Sequence, residues 1–465
     1  MVPDLDRITL LLELLGQPQR SYPTIHVTGT NGKGSVVRMA TMLLGAAGLS
    51  AGAYTSPHLQ TIRERLQVAG RRIGEQAFAE LYADVAPLAG LVDERSADAV
   101  TYFELLTAMA SWWFAEVPVD VGVFEVGMGG TWDATNLVRG DVAVLQPIDV
   151  DHSELGDEPV AVAKEKAGII KHGSHVVLGP QRDDVLAVIR ARAEDVGAEL
   201  RLFGTDHELL RRQVTTGGQT IDVRIGERVL RDLYVPLHGV HQADNAVVAL
   251  AAVAGLLGDT FDDLAEDALR QGLLSTTVPG RLEVVHREPT VVVDGAHNPH
   301  GARAAAAAFE EAFTAEGITL VVGVLGDKDV RGILAPWKEL ASHVVVCRPP
   351  SPRALPVDRL AAVAEELWSG TGVVVEQADD VVTALGMAHS VTGPRDAVLV
   401  CGSLFTVGAA RDHYLPVLDD DDEVVLEPED VDDDEHEEAF GAALEAMIER
   451  LDAERGSVDP DDLGL

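Results

Sequence analysis

The octet Thr28-Gly29-Thr30-Asn31-Gly32-Lys33-Gly34-Ser35 constrains the fold of this chain more than any other feature. It follows Thr24 to Thr28, which reads as a strand, and precedes Ser35 to Ala47, whose apolar spacing reads as a helix. Glycines at such a junction let backbone N–H groups wrap a phosphate, and the helix N-terminus adds positive potential. Lys33 can neutralise phosphate oxygens, and the Ser35 hydroxyl can ligate Mg²⁺. The alternative, a glycine-rich turn with one stray lysine, needs strand, glycines, lysine and hydroxyl to coincide by accident. Lysine is scarce here, 6 against 30 arginines, so each one is a candidate for chemistry that a guanidinium cannot do. On that ground Lys33, Lys164, Lys166 and Lys171 are singled out for inspection, with Lys164 and Lys171 expected to be surface charges.

Apolar runs rich in Val and Ile alternate with helix-period segments along most of the chain, the pattern of parallel sheets with crossover helices. Expected strands include Ala51 to Tyr54, Val121 to Val126, Val142 to Gln146, Val291 to Asp294, Leu320 to Val324, Val344 to Cys347 and Ala397 to Cys401. Expected helices include Asp183 to Val196, Asn245 to Leu257, Ala302 to Phe313 and Asp379 to Met387. Within Glu208 to Val235 the pivot Gly217-Gly218 signals a hairpin, expected to edge the first sheet. The fold class is therefore α/β, with a P-loop-type, mostly parallel sheet in an N-terminal domain and a smaller, Rossmann-like C-terminal α/β domain. The expected domains are residues 1–278 and 289–418, joined by a linker at 279–288 and followed by an acidic tail at 419–465.

That tail holds 21 acidic and 2 basic residues, almost half of the formal charge of -40. It reads as a solvated appendage with a short helix over Ala439 to Arg455. So acidic a chain cannot neutralise a run of phosphates, which argues against nucleic acid as a partner but not against a single nucleotide. Ala246 to Leu257 is too short an apolar run to span a bilayer, and Met1 to Leu15 carries acids where a signal peptide carries lysines, so a cytoplasmic protein without membrane partners is expected. Cys347 and Cys401 are too few for a disulfide framework and are expected in the core.

Further blocks follow the octet in order: Thr55-Ser56-Pro57-His58; Glu125-Val126-Gly127-Met128-Gly129-Gly130 leading to Asp133-Ala134-Thr135-Asn136; Asp151-His152; Glu165-Lys166-Ala167-Gly168; His241-Gln242 with Asn245-Ala246; Pro279-Gly280-Arg281; Asp294-Gly295-Ala296-His297-Asn298-Pro299; and Asp327-Lys328-Asp329. With the inserted Gly34 between Lys33 and Ser35, this series resembles the Mur ligase superfamily and, within it, the folylpolyglutamate synthase and dihydrofolate synthase group, over roughly residues 1 to 415.

The resemblance implies an ATP-dependent ligase that joins L-glutamate to dihydropteroate or to the γ-carboxylate of a reduced folate through an acyl phosphate. Thr30, Asn31, Gly32, Lys33, Gly34 and Ser35 would hold the nucleotide phosphates. Asn245 and Arg281 would lie on the adenine and phosphate side, and Asp294 and His297 would face the ribose. Two Mg²⁺ sites are implied, with Ser35, Glu125 and His152 as ligands. Lys166 would be carbamylated, and Lys33, Lys166, His152 and Arg281 would serve catalysis. Ser56, Pro57 and His58 would border the pterin, with Thr101 to Glu104 contributing an aromatic wall. Read from the residues alone, Glu125 could equally cap a turn, Asp294 and Asn298 could serve turn and helix capping, and Lys166 could be an ordinary helix lysine. The family implies a monomer. Two rivals are a cell-wall Mur-type amino-acid ligase, which a substrate assay would separate, and a P-loop nucleotide switch, which would form no amide.

Overall fold

The computed structural model describes residues 4–150 and 155–417. His152 and the expected tail helix lie outside the described residues. The first sheet contains β1 (Thr24–Thr28), β2 (Ala51–Tyr54), β3 (Leu66–Val68), β4 (Arg71–Arg72), β5 (Val121–Glu125), β6 (Val142–Leu145), β7 (His175–Leu178) and β8 (Glu199–Arg201). Their order is β4-β3-β2-β5-β1-β6-β7-β8, parallel from β2 to β8 with β3 and β4 turned back along one edge. β1 is central and its five residues are all buried; its polar members are satisfied inside, Thr24 Oγ1 accepting Gly140 N–H, His26 meeting Thr135 Oγ1 and Thr28 Oγ1 donating to Gly129 O. The chain leaves β1 toward β2 on one side and later crosses to β6 on the other, so the octet stands at the point where strand order reverses.

Helices cover both faces of this sheet. On one face Lys33–Ala46 and Val240–Leu257 share a core with Ile25, Val123 and Val144; on the other, Asp6–Leu14, Glu75–Asp93 and Tyr102–Glu116 pack around Tyr54 and Phe124. Among the described residues, Val240–Phe261 is long and apolar enough to cross a membrane, but its inward positions from Ala246 to Val253 form the centre of this core. The hairpin at Gly217-Gly218 is present, joined by a third strand: β9 (His207–Thr215), β10 (Gly218–Ile225) and β11 (Arg228–Val235). It does not edge the first sheet as expected. It forms its own antiparallel sheet, because Ile221, Val223, Leu230 and Leu233 give it an apolar face that lies on the helix Val240–Leu257.

The second sheet holds β12 (Glu283–Arg287), β13 (Thr290–Val293), β14 (Ile318–Val322), β15 (Ala341–Cys347), β16 (Val374–Ala378) and β17 (Ala397–Cys401), ordered β12-β13-β17-β14-β15-β16. All pairs are parallel except β12 with β13. β12 lies inside the stretch expected to be linker. Cys347 and Cys401 are free and buried, as expected. The helix expected at Asp379 begins two residues later, at Val381, because the Asp380 carboxylate accepts from Thr383 N–H and caps it.

Lys171 is not a surface charge. Its ammonium donates to the carbonyls of Asn136 and Val138, and burial lowers its pKa to about 8. The glycines of the 127–130 and 165–168 blocks hold the same region together. A Cβ on Gly130 would stand 2.8 Å from Glu165 O, and one on Gly168 would stand 2.1 Å from Thr131 Oγ1 and 2.7 Å from its Cα. Gly168→Ala is therefore expected to destabilise the protein by about 1–3 kcal/mol through overpacking, read as a lower urea midpoint with an unchanged slope.

Candidate functional site

The carboxyl ends of the two sheets supply the candidate residues. After β1 the octet turns on Gly29 and Gly32, both at positive φ (146° and 86°), and enters the helix at Lys33, two residues earlier than the spacing indicated. A Cβ on Gly29 would meet Gln146 Cβ at 2.5 Å, and one on Gly32 would meet Asn245 Oδ1 at 2.7 Å, so neither position has room for a side chain. Gln146 and Asn245 form the floor of the loop. The Gln146 amide donates to Asn245 Oδ1, and Asn245 Nδ2 donates to Gln242 Oε1 at 3.0 Å. Asn245 therefore supports the octet from below. Gln146 closes a strand and gave no motif signal.

Lys33 Nζ donates to Gly29 O at 2.9 Å and to Thr30 O at 3.4 Å. Lys166 is 1% exposed, and its Nζ reaches the same Gly29 carbonyl at 2.9 Å. Two of the four lysines that composition singled out thus converge on one atom of the loop. Lys164, by contrast, is exposed and lines a large cavity.

Glu125 ends β5 and is buried, with Oε2 accepting the Ser56 N–H at 3.1 Å. Burial pushes its carboxyl up, while Lys33, the Ser56 N–H, Arg281 and Arg38 pull it down. A Cβ at Gly34 would lie 3.3 Å from Glu125 Oε2, so the inserted glycine is what lets this carboxylate approach the start of the helix that also carries Ser35. An anion and a hydroxyl of this kind form a hard-oxygen donor set suited to Mg²⁺. Among the described residues no group of three or more His, Cys, Asp or Glu is placed to hold a metal.

From the second sheet, Asp294 follows β13. Its carboxylate accepts Leu282 N–H at 3.0 Å and Ala296 N–H at 2.9 Å, with burial raising its pKa and Arg281 opposing. The turn role is real. Asn298 likewise caps the helix Pro299–Ala312 through Gly301 N–H at 2.7 Å, yet it also donates to Asn31 Oδ1 at 3.1 Å. Asn31 in turn meets His300 Nδ1 at 3.1 Å, so the octet touches the second sheet's first helix directly. Arg281 acts electrostatically on Glu125, Asp294 and His241 together, which places it between the two halves. Two further contacts flank that junction: the Arg212–Glu311 ion pair, and Gln60 Nε2 donating to Asp412 Oδ1 and to Leu415 O, both at 2.9 Å.

Two cavities lie among these residues, and the octet's Asn31 lines one of them. One, of about 1000 Å³, is lined by Ser56 and Pro57, Tyr102 and Phe103, Gly127, Met128 and Trp132, His297, Ser403 and Phe405, with cations at Arg65, Lys164, Lys328 and Arg353 and acids at Asp4, Glu104, Asp133 and Glu165. Arg65 lies over the Tyr102 ring at 5.4 Å and also donates to His58 Nδ1 at 3.0 Å. His58 is absent from the lining and stands behind Arg65, with burial lowering its pKa. The second cavity, about 980 Å³, is bounded by Asn31, Pro147 to Asp149, His241, Asp244, His300 and Ala308. Burial lowers His241 to about 4 and raises Asp244 to about 6. Arg65, Arg353, Asp244 and Arg212 were missed because they lie in no motif; only the fold brings them to a cavity.

Two family models match the chain: the Mur ligase middle domain over residues 27–253 and the Mur ligase glutamate ligase domain over residues 280–404. The chain is 42% identical over 439 residues to the dihydrofolate synthase/folylpolyglutamate synthase of Mycobacterium tuberculosis, covering 88% of this chain and 89% of that protein. The Escherichia coli protein of the same name is 33% identical over 418 residues, covering 89% and 91%. Among solved structures, the M. tuberculosis folylpolyglutamate synthase complexed with ADP superposes with a TM-score of 0.85 at 41% identity, covering 89% of this chain and 95% of that one. The E. coli enzyme in complex with DHPP and ADP gives 0.78 at 31% identity, covering 89% and 93%.

Proposed function

Because this chain belongs to the Mur ligase family, as a dihydrofolate synthase/folylpolyglutamate synthase that joins glutamate to folates at the expense of ATP, we propose that it accepts both dihydropteroate and reduced folates and activates them as acyl phosphates. The observation that carries this reading is the Glu125–Ser56 contact. Through Glu125, which Gly34 lets approach the phosphate loop, it links Lys33 and Ser35 to the aromatic cavity of mixed charge in which a pterin and its carboxylate tail fit.

A carboxylate is a poor electrophile because its leaving group would be oxide. Its oxygen attacks the γ-phosphorus of ATP, the bond to ADP breaks, and the glutamate amine then displaces phosphate from the acyl carbon as its proton leaves. Lys33 and the octet N–H groups offset the phosphate charge, and Arg281, set between the halves, meets the charge that develops as they close. Tyr102 and Phe103 present faces on which a pterin ring stacks, and Arg65, Lys328 and Arg353 attract its carboxylates. Ser35 and Glu125, with His152 at a second site, are the residues that would hold Mg²⁺, which when bound supplies positive charge at the transferring phosphoryl group. Thr30, Asn31, Gly32 and Gly34 shape the loop. Asp294 brings the second half to the nucleotide, Ser56, Pro57 and His297 border the acceptor, and His58 acts from behind Arg65, whose Nε–H it accepts. In this reading residues 1–278 bind ATP, the second sheet from β12 onward completes the ligase, the connection just before β12 is the hinge, and the enzyme works as a cytoplasmic monomer.

Purified protein with ATP, Mg²⁺ and labelled glutamate, offered dihydropteroate and tetrahydrofolate in separate tubes, is expected to form a labelled amide in both. Product with one acceptor alone would reduce the reading to a single synthase activity. ADP release without amide in either tube would overturn it.

A further inference from the structure

We propose that Asp244 accepts a hydrogen bond from the exocyclic amine of adenine and is the residue that makes this ligase select its nucleotide base. The inference rests on the ligase reading and adds to it a specificity residue that no motif contains.

Glu125 touches Ser56, and Ser56 lines the acceptor cavity, so the end of the triphosphate that reacts lies on the Glu125 side of the octet. The base must then emerge on the opposite side, past Asn31, into the cavity of about 980 Å³. That volume suits a nucleoside. Ala304 and Ala308 of the helix Pro299–Ala312 form one apolar wall, and Val240, at the start of the helix Val240–Leu257, stands among the other lining residues. A flat purine fits between such surfaces.

Most polar groups in this cavity are already engaged. Arg212 holds Glu311 through two nitrogens and also bonds Gln219. Gln181 donates to Leu145 O at 3.0 Å and Gln146 O at 2.9 Å, and accepts Ile148 N–H. His300 is taken by Asn31, and an Asp149 oxygen accepts Val150 N–H. His241, one turn before Asp244, stays neutral because burial lowers its pKa to about 4. Asp244 is half-buried, and no hydrogen bond to its carboxyl is found among the described residues. A half-buried acceptor without a donor is costly on its own account and gains from a ligand that brings one. At its six-position adenine carries an amine, a donor; guanine carries an oxo group there, a second acceptor that a carboxylate repels.

The test compares ATP with purine riboside 5′-triphosphate, which lacks only the six-amino group, in the wild type, Asp244→Ala and Asp244→Asn. Wild type is expected to favour ATP in kcat/KM by about tenfold or more. Asp244→Ala is expected to bring the two nucleotides within about twofold of each other, through a raised KM for ATP with kcat at saturation retained. Asp244→Asn, whose amide oxygen can still accept, keeps part of the preference and guards against a folding artefact. An unchanged ATP-to-analogue ratio in Asp244→Ala overturns the proposal. Calorimetric binding of the non-hydrolysable methylene analogues of both nucleotides gives the same ratio without turnover. A wild type that forms no amide would therefore sink the ligase reading while leaving Asp244 still decidable.

Discussion

Lys33→Ala is expected to lower glutamate ligation by roughly 10²- to 10³-fold while the protein stays folded, the loss falling mainly on kcat. The side chain is partly exposed and returns to the carbonyls of its own loop, so removing it opens no core cavity. The loop keeps its shape by other means: Thr30 N–H bonds Pro147 O at 3.0 Å, Thr30 Oγ1 bonds Asp149 O at 2.9 Å, and Gln146 and Asn245 lie beneath Gly32. Nucleotide is therefore still expected to bind through the amides, more weakly, and calorimetry with ADP would report it. Lys33→Arg is not expected to rescue, since a planar guanidinium delivers its charge over a fork rather than at a point. Turnover within a few fold of wild type in a folded Lys33→Ala protein would remove the lysine from phosphoryl transfer and shift the burden to Arg281.

The octet was legible because its chemistry is local. Strand, glycines, lysine and hydroxyl sit within a dozen residues, and the fold adds only the reason for Gly34, which is the approach of Glu125. The parallel strands were legible for a similar reason: a strand buried on both faces is rich in apolar and β-branched residues, so β17 and, despite its buried His26, β1 were found to the residue. What periodicity cannot report is which surface an element will cover. The hairpin was visible from Gly217-Gly218, but its attachment depends on the inward face of β10 and β11 meeting the helix Val240–Leu257. Lys171 shows the same limit: the carbonyls that it satisfies come from Asn136 and Val138, more than thirty residues earlier. Asp244 is the strongest case. It is one residue from the Asn245 that a motif supplied, yet Asn245 turns under the loop and Asp244 turns into a cavity that exists only once both halves are packed.

Lys166 could act as an amine or, as the family resemblance implies, as a carbamate, and its replacement decides between them. As an amine it donates to Gly29 O and so braces the first turn of the octet. As a carbamate its neutral nitrogen would have attacked the carbon of CO₂ with loss of a proton to solvent, leaving one N–H for the same carbonyl and one negative charge shared by two oxygens that could help to hold a metal. A purely bracing lysine predicts that Lys166→Arg, which keeps positive charge and donors, preserves much of the activity. We expect the opposite: Lys166→Arg and Lys166→Ala both lose roughly 10²-fold or more in kcat, because neither can carry the anion. Carbon-13 bicarbonate should give the wild type a carbamate resonance that Lys166→Arg lacks, and wild-type activity should fall when CO₂ is stripped from the buffer and return when bicarbonate is restored. An active Lys166→Arg enzyme, indifferent to bicarbonate and with no such resonance in the wild type, would leave Lys166 as a structural donor. The negative charge required beside the magnesium would then have to come from Glu125 alone, and Glu125→Gln should in that case be the more damaging substitution.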